Sequence, residues 1–183
     1  MEAWLTGKLL VAMPVLDDPN FSRSVVFILD HDEDGALGVV INRASDVPVS
    51  DAVETFVDLV PSPSVLFGGG PVEPTALVAI GRSTGVDERG DTTIIEGLQL
   101  VDLDEDPVFA GINLTQVRLF AGYAGWSPGQ LEQEVWHGAW AVVDVDAGDL
   151  FTATPETLWR DVLRRQRGPL RLVADFPEDA ALN

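Results

Sequence analysis

Ser24-Val25-Val26-Phe27-Ile28-Leu29-Asp30-His31-Asp32-Glu33-Asp34-Gly35-Ala36-Leu37-Gly38-Val39-Val40-Ile41-Asn42 carries two apolar runs on either side of an acidic turn. Both runs are rich in β-branched residues and have strand length, far short of the roughly 18 apolar residues that cross a membrane as a helix. Two such runs joined by a polar, glycine-ended turn predict an antiparallel hairpin with a longer loop. Outward from it, short strands are expected over residues 9–12, 65–67, 76–81, 92–99, 117–123 and 139–145, and a last one near 170–173. Ser50 caps an expected helix over 50–60 with Val53, Phe56, Val57 and Val60 on one face. A second helix is expected over 128–136. Thr154-Pro155 opens a third, to about residue 166, with Leu158, Trp159, Val162 and Leu163 inward and Gly168 as C-cap. Residues 102–110 read as an acidic turn with a short helix, and the chain closes in a polar tail. Strands outnumber helices and no regular βαβ alternation appears. The class is α+β: a single domain over residues 1–183 with a large, mostly antiparallel sheet flanked by a few helices.

A chain of 183 residues buries roughly 70% of its unfolded surface and needs no metal or disulfide to hold a core. The absence of cysteine excludes thiolate chemistry, Fe–S clusters and disulfide frameworks. Two histidines, His31 and His137, cannot make an ordinary zinc site of three or four N/S ligands, and no cofactor is expected. Eleven basic against thirty acidic residues give a net charge of −19. Such a field repels phosphate backbones and anionic membranes, which disfavours direct nucleic-acid binding. It also predicts a monomer whose melting temperature rises with moderate salt. The one basic cluster, Arg160, Arg164, Arg165, Arg167 and Arg171, complements the end of the last helix. The N-terminus lacks a basic region followed by a long apolar core, so a cytoplasmic location is expected.

Several motifs invite chemistry and are better read as structure. Gly125-Trp126-Ser127-Pro128-Gly129 fits the nucleophile elbow G-x-S-x-G. In that elbow the residue after the serine lends its N–H to the oxyanion hole, and Pro128 has none. Ser127 as N-cap, Pro128 at N1 and Gln130 at N3 of a capping box explain the same letters. Asp30-x-Asp32-x-Asp34-Gly35 begins like a calcium loop, but its twelfth position is Ile41 rather than a glutamate, so a solvated hairpin turn is expected. Gly68-Gly69-Gly70-Pro71 lacks the spacing and the Lys-Ser/Thr of a phosphate loop and suggests a tight strand exit or close approach of another backbone. The two aspartates beside His31 favour its protonated form, a poor general base and a fair anion contact. Trp126, Trp136, Trp140 and Trp159 are core and rim aromatics, or the lining of a pocket.

Four blocks carry a resemblance. They are Leu10-Val11-Ala12-Met13-Pro14-Val15-Leu16-Asp17-Asp18-Pro19-Asn20-Phe21-Ser22-Arg23-Ser24-Val25, His31 onward to Gly35-Ala36-Leu37-Gly38-Val39-Val40-Ile41-Asn42-Arg43, Phe67-Gly68-Gly69-Gly70-Pro71-Val72, and Tyr123-Ala124-Gly125-Trp126-Ser127-Pro128-Gly129-Gln130-Leu131-Glu132. In this order and spacing the chain resembles the AlgH/YqgE family of bacterial proteins over nearly its whole length. The resemblance implies a bifurcated, barrel-like sheet. It implies no established activity and no agreed catalytic residues; one branch bears a transcriptional-regulator label that rests on phenotype. Where family members tend to carry a Leu-His pair after the glycine block, this chain reads Ala76-Leu77-Val78-Ala79-Ile80-Gly81, which weakens an enzyme reading.

Three functional readings follow. The first is a non-enzymatic binding or protein-interaction protein with one concave site for a small molecule or protein partner. That site is expected from Met13, Pro14, His31, Asn42, Gly68, Gly69, Gly70, Tyr123, Trp126 and Gln130, because polar and glycine residues dominate the family-like blocks. The alternative is a hydrolase or metal-assisted enzyme built on the acidic turns and Ser127. A third is a transcriptional regulator acting through a protein partner, since no helix-turn-helix with a basic second helix is visible.

Overall fold

The computed structural model describes residues 4–84, 92–104 and 113–177. Ten strands run β1 (Lys8–Ala12), β2 (Val25–Asp32), β3 (Gly35–Val40), β4 (Ala44–Pro48), β5 (Val65–Gly68), β6 (Val72–Ser83), β7 (Thr93–Ile95), β8 (Leu98–Leu100), β9 (Leu114–Trp126) and β10 (Trp140–Asp144). Three short helices accompany them: α1 (Gln130–Trp136), α2 (Leu158–Arg164) and α3 (Leu170–Val173). The fold is α+β with a mostly antiparallel sheet. β2 and β3 form the expected hairpin, and Asp34 N–H donates to Asp32 Oδ1 at 2.8 Å to tighten the turn. β1 after Lys8 and the first five residues of β2 are apolar because both of their faces are covered. Leu9, Val11, Val25 and Phe27 enter one core, while Leu10, Ala12, Val26 and Ile28 enter another on the opposite face.

The sheet runs β10-β1-β2-β3-β9-β6-β8-β7, with β5 bridging β4 to β9. Its ends, β10 and β7, do not meet, so the sheet is open rather than closed into a barrel. It forks at β9. Residues Ala124 to Trp126 pair with β3, earlier residues pair with β6, and Phe120 and Ala121 run parallel to β5. The fork explains the glycine block. A Cβ on Gly69 would lie 2.2 Å from the Gly122 carbonyl oxygen, and one on Gly70 2.2 Å from that of Tyr123. Two backbones touch there, and only glycine allows it.

Several expectations are corrected. Residues 50–60 form two 3-10 turns, Val49–Asp51 and Glu54–Leu59, without a side-chain cap from Ser50. The apolar spacing still seats Phe56 in a third core with Val53, Val57 and Val60 around it. The valines at 49, 53, 57 and 60, bracketed by Pro48 and Pro61, give poor material for a continuous α-helix. Residues 170–173 form α3, not a strand: Leu-Arg-Leu-Val alternates, but Gly168-Pro169 turns the chain into a helix start. The 155–166 helix divides into a 3-10 turn, Pro155–Thr157, and α2, which ends with Arg165 as C-cap rather than Gly168. Residues 92–99 split into β7 and β8 around Gly97 (φ +81°). β4 was not expected, and β6 and β9 outrun their expected spans. Of the acidic segment 102–110, residues 105–110 lie outside the described residues, as does the tail beyond 177.

One buried cation ties the second branch together. Arg118 is fully buried on the Phe120 face of β9, its guanidinium 4.4 Å from the centre of the Phe67 ring. Nε donates to Leu150 O, Nη1 to Pro61 O and Pro63 O, and Nη2 to Ser62 O and Thr152 O, at 2.8–3.4 Å. Burial pulls its pKa down to about 10, which leaves it charged at neutral pH. The five donors of the fork are all met by carbonyls from two loops.

Candidate functional site

Most of the residues singled out in the sequence are engaged inside the fold. On the α1 flank, Trp126 Nε1 and Trp140 Nε1 both donate to Glu134 Oε2, at 2.9 and 2.8 Å, and Gln130 Nε2 donates to Oε1 at 2.9 Å. Gln130 Oε1 accepts the Ser127 N–H at 3.0 Å, so one arm of the expected capping box forms. The other does not. Helix α1 starts at Gln130 with Gly129 as N-cap at φ +74°, and no side chain caps it. His31 is 4% exposed; Nδ1 accepts the Leu5 N–H at 3.1 Å and Nε2 lies 3.0 Å from Glu132 Oε1. A donor facing Nδ1 leaves that nitrogen without a proton, so the ring is the Nε2–H tautomer donating to Glu132. Both ring nitrogens are thus engaged within the fold by Leu5 and Glu132, where an outside anion had been expected as the partner. Asn42 is likewise a brace: Oδ1 accepts Val25 N–H at 2.9 Å and Nδ2 donates to Arg23 O at 3.0 Å. Gly68, Gly69 and Gly70 serve the fork, and Tyr123 packs half-buried against the main core. Trp136 is neither core nor pocket lining, standing 86% exposed.

Met13 and Pro14 differ. They line a cavity of about 390 Å³, with Asp17, Ser22, Arg23, Trp159, Phe176 and Pro177 among its other walls. Of the ten residues expected to share one cleft, these two line this cavity. Its geometry starts where Met13 N–H bonds Ala139 O and the chain leaves β1. The loop then folds on Asp18, whose carbonyl accepts from Phe21 and Ser22 and whose Oδ1 accepts from Asn20. Arg23 closes the loop in a left-handed conformation, φ +54°, which costs a non-glycine residue about 1 kcal/mol or more. Its guanidinium carbon stands 4.5 Å from the centre of the Trp159 ring, and Nη2 donates to Phe176 O at 2.7 Å. Trp159 Nε1 donates to Ala12 O at 2.8 Å, which fixes the ring. Arg43 reaches Ser22 O at 3.1 Å; burial lowers its pKa, against the raising effect of Asp18. The result is a cavity of mixed polar and apolar lining, with a stacked guanidinium and an exposed carboxylate, Asp17, on its walls.

Among the described residues, neither histidine is placed as a base for Ser127. Ser127 is exposed, His31 is committed to Leu5 and Glu132, and His137 Nδ1 pairs with Gln133 O at 2.7 Å. Among the described residues no group of three or more His, Asp or Glu side chains is placed to hold a metal ion. Sequence reasoning did not single out Arg23, Asp17 and Ser22, although all three lie in the first family-like block; it set Trp159 inward, or lining a pocket, and the ring is both 3% exposed in the main core and a wall of this cavity. The available signal was an arginine amid Phe21-Ser22-Arg23-Ser24 in a chain with few cations.

The open, forked sheet is the frame on which the comparisons with known proteins bear. The chain matches the AlgH-like family over residues 9–171 and belongs to it. It is 50% identical to a UPF0301 protein of Streptomyces avermitilis, covering 98% of this chain and 95% of that one. A UPF0301 protein of Thermobifida fusca is 47% identical, over 98% and 96%. The crystal structure of protein DIP2367 from Corynebacterium diphtheriae superposes with a TM-score of 0.88 at 35% identity, covering 96% of this chain and 94% of that one. The solution structure of the AlgH protein from Pseudomonas aeruginosa gives 0.68 at 29% identity, covering 98% of each. No helix among the described residues is long and apolar enough to cross a membrane.

Proposed function

We propose that this AlgH-like protein is a cytoplasmic, non-enzymatic binding protein, and that the cleft between the 13–23 loop and Trp159 receives its ligand or partner. One observation carries this reading: Arg23 holds a strained left-handed backbone while its guanidinium stacks on Trp159 at the wall of a cavity of about 390 Å³. Strain of this kind persists where surrounding structure over-determines it, and it clusters at binding sites. The volume falls within the range of small-molecule or side-chain pockets. Regulation through a protein partner would use the same cleft. The test is ¹⁵N NMR of the full chain against a fragment library. Hits are expected to shift Met13, Arg23, Trp159 and Phe176 together. Hits confined to another face, such as the exposed Trp136, would overturn the assignment.

A further inference from the structure

The segment Trp4–Gly7, which leads into β1, is tied down by a side chain that can change its charge. Strand β1 pairs with β2 only as far as Leu9 opposite Phe27. Beyond that point the same edge of β2 is covered by Leu5, Thr6 and Gly7. Gly7 N–H donates to Ile28 O at 2.8 Å, and His31 N–H donates to Thr6 Oγ1 at 3.0 Å. The third tie is the His31 ring, whose Nδ1 accepts the Leu5 N–H at 3.1 Å. Trp4 stands edge-on to that ring, with centroids 5.2 Å apart and planes at 82°. On the other side of the ring, Nε2 faces Glu132 Oε1 of α1 at 3.0 Å. The histidine is buried between two pieces of chain, while Trp4 is exposed and Leu5 and Thr6 are half-buried.

The two ring nitrogens respond oppositely to a proton. In the neutral ring Nδ1 carries the lone pair that Leu5 needs, and Nε2–H serves Glu132. A second proton has to go on Nδ1. Two N–H groups then face each other and the Leu5 bond is lost, while the contact with Glu132 becomes a charge-assisted ion pair. The neighbouring charges leave this exchange to Glu132. Asp30 and Asp32 are exposed on the opposite face of β2, β3 sets Ala36 across from His31, and Lys8 is paired with Asp144. We propose that His31 is a proton-operated latch: neutral, it holds Trp4–Thr6 against the edge of β2; charged, it stays with Glu132 and lets the segment go. Gly7, at φ +77°, is where the segment turns away from β1, so β1 keeps its ladders to β2 and β10 when the latch opens.

The test is ¹⁵N NMR of the full chain from about pH 8 to about pH 5, the range in which histidine side chains ordinarily change charge. It follows the His31 ring nitrogens and the backbone of residues 4–12. As the ring charges, protection of the Leu5 amide, relative to the unfolded-chain exchange rate at each pH, is expected to fall about fivefold or more. Residues 4–6 gain fast motion, and residues 9–12 do not change. His31→Asn keeps an oxygen acceptor near the place of Nδ1 but has no charge to gain, so its segment should stay closed over the whole range. If that variant melts early, two others decide with opposite signs. Thr6→Val removes a tie of the closed state alone and should move opening to higher pH. Glu132→Gln removes the partner of the charged ring and should move it to lower pH. Leu5 protection retained after the ring has charged overturns the latch, and so does opening that persists in His31→Asn. Opening at one common pH in the parent and both other variants overturns it as well. A ring that stays neutral until the whole domain unfolds would make His31 a fixed brace and end the proposal.

Discussion

The α1 flank and the Trp159 cleft use the same materials to opposite ends. In each, indole rings meet a charged group: Glu134 takes the N–H of Trp126 and Trp140, and Arg23 stacks on Trp159. Around Glu134 the polar atoms find one another, and the rings of Phe21, Trp126 and Trp140 close on themselves at centroid distances of 5.6–6.3 Å. Around Arg23 the backbone is strained, and a cavity remains open with Asp17 exposed at its edge. The difference teaches that a dense motif marks closure as readily as chemistry. The Tyr123-to-Glu132 block, with its attractive Ser127, is chiefly a device for starting α1 and anchoring it to β9.

If closed nodes hold the fold, removing one should cost far more than altering the cleft, and the largest loss is expected at Arg118. Arg118→Ala leaves five carbonyls from two loops without their donors and should lower stability by about 3–5 kcal/mol, measured as a shift of the urea midpoint. Lysine should not restore it, since one ammonium cannot span both loops. A loss below about 1 kcal/mol would show that the loops find other partners.

The next step down is Glu134. Replacement by alanine strands two buried indole N–H groups, at a cost of about 1–3 kcal/mol, whereas glutamine keeps an acceptor oxygen and should recover part of it. Equal losses for the two variants would mean that the carboxylate only fills space. Smaller still is the change at Arg23. Glycine there relieves the left-handed strain but gives up the stack on Trp159 and the bond to Phe176 O. Both terms are about 1 kcal/mol, so they nearly cancel. The expected variant melts close to the parent and loses cleft ligands. A large drop in stability would turn the cleft into another closed node and erase the contrast.

How much of this was readable in the sequence depends on whether the signal was local. The 24–42 hairpin was legible because two β-branched runs flank one polar turn. The close backbone approach at Gly68-Gly69-Gly70 was legible because three glycines before a proline have few other uses. β4 was not: Ala44-Ser45-Asp46-Val47-Pro48 is mostly exposed and has no buried face to impose a period. Residues 170–173 misled because a four-residue alternation fits a strand and a helix turn equally. For the site, Met13 and Pro14 were named, but Arg23 and Trp159 stand 136 positions apart and meet only through the fold. Arg118 left the clearest unused trace, a single charge inside Val117-Arg118-Leu119-Phe120, where a buried strand otherwise admits none.

The smallest expected effect belongs to a pair that is neither closed nor part of the cleft. Lys8, the only lysine of the chain, sits opposite Asp144 across β1 and β10 and donates to its Oδ1. The hydrogen bond from Lys8, then its charge, hold the Asp144 pKa below the ordinary carboxylate value. A carboxylate depressed in the folded state stabilises the fold at pH values above its unfolded pKa, and that contribution disappears as pH falls through the folded value. Both side chains are exposed, at 44% and 88%, and solvent screens the pair, so its effect on melting should be slight. The sensitive readout is NMR titration of the Asp144 carboxyl in the parent and in Lys8→Met. The parent is expected to titrate at lower pH, and the small difference in melting temperature between the two proteins should vanish in acid. A common titration midpoint would mean that the lysine is solvated independently of Asp144, and that β1 and β10 are joined by their backbones and buried faces alone.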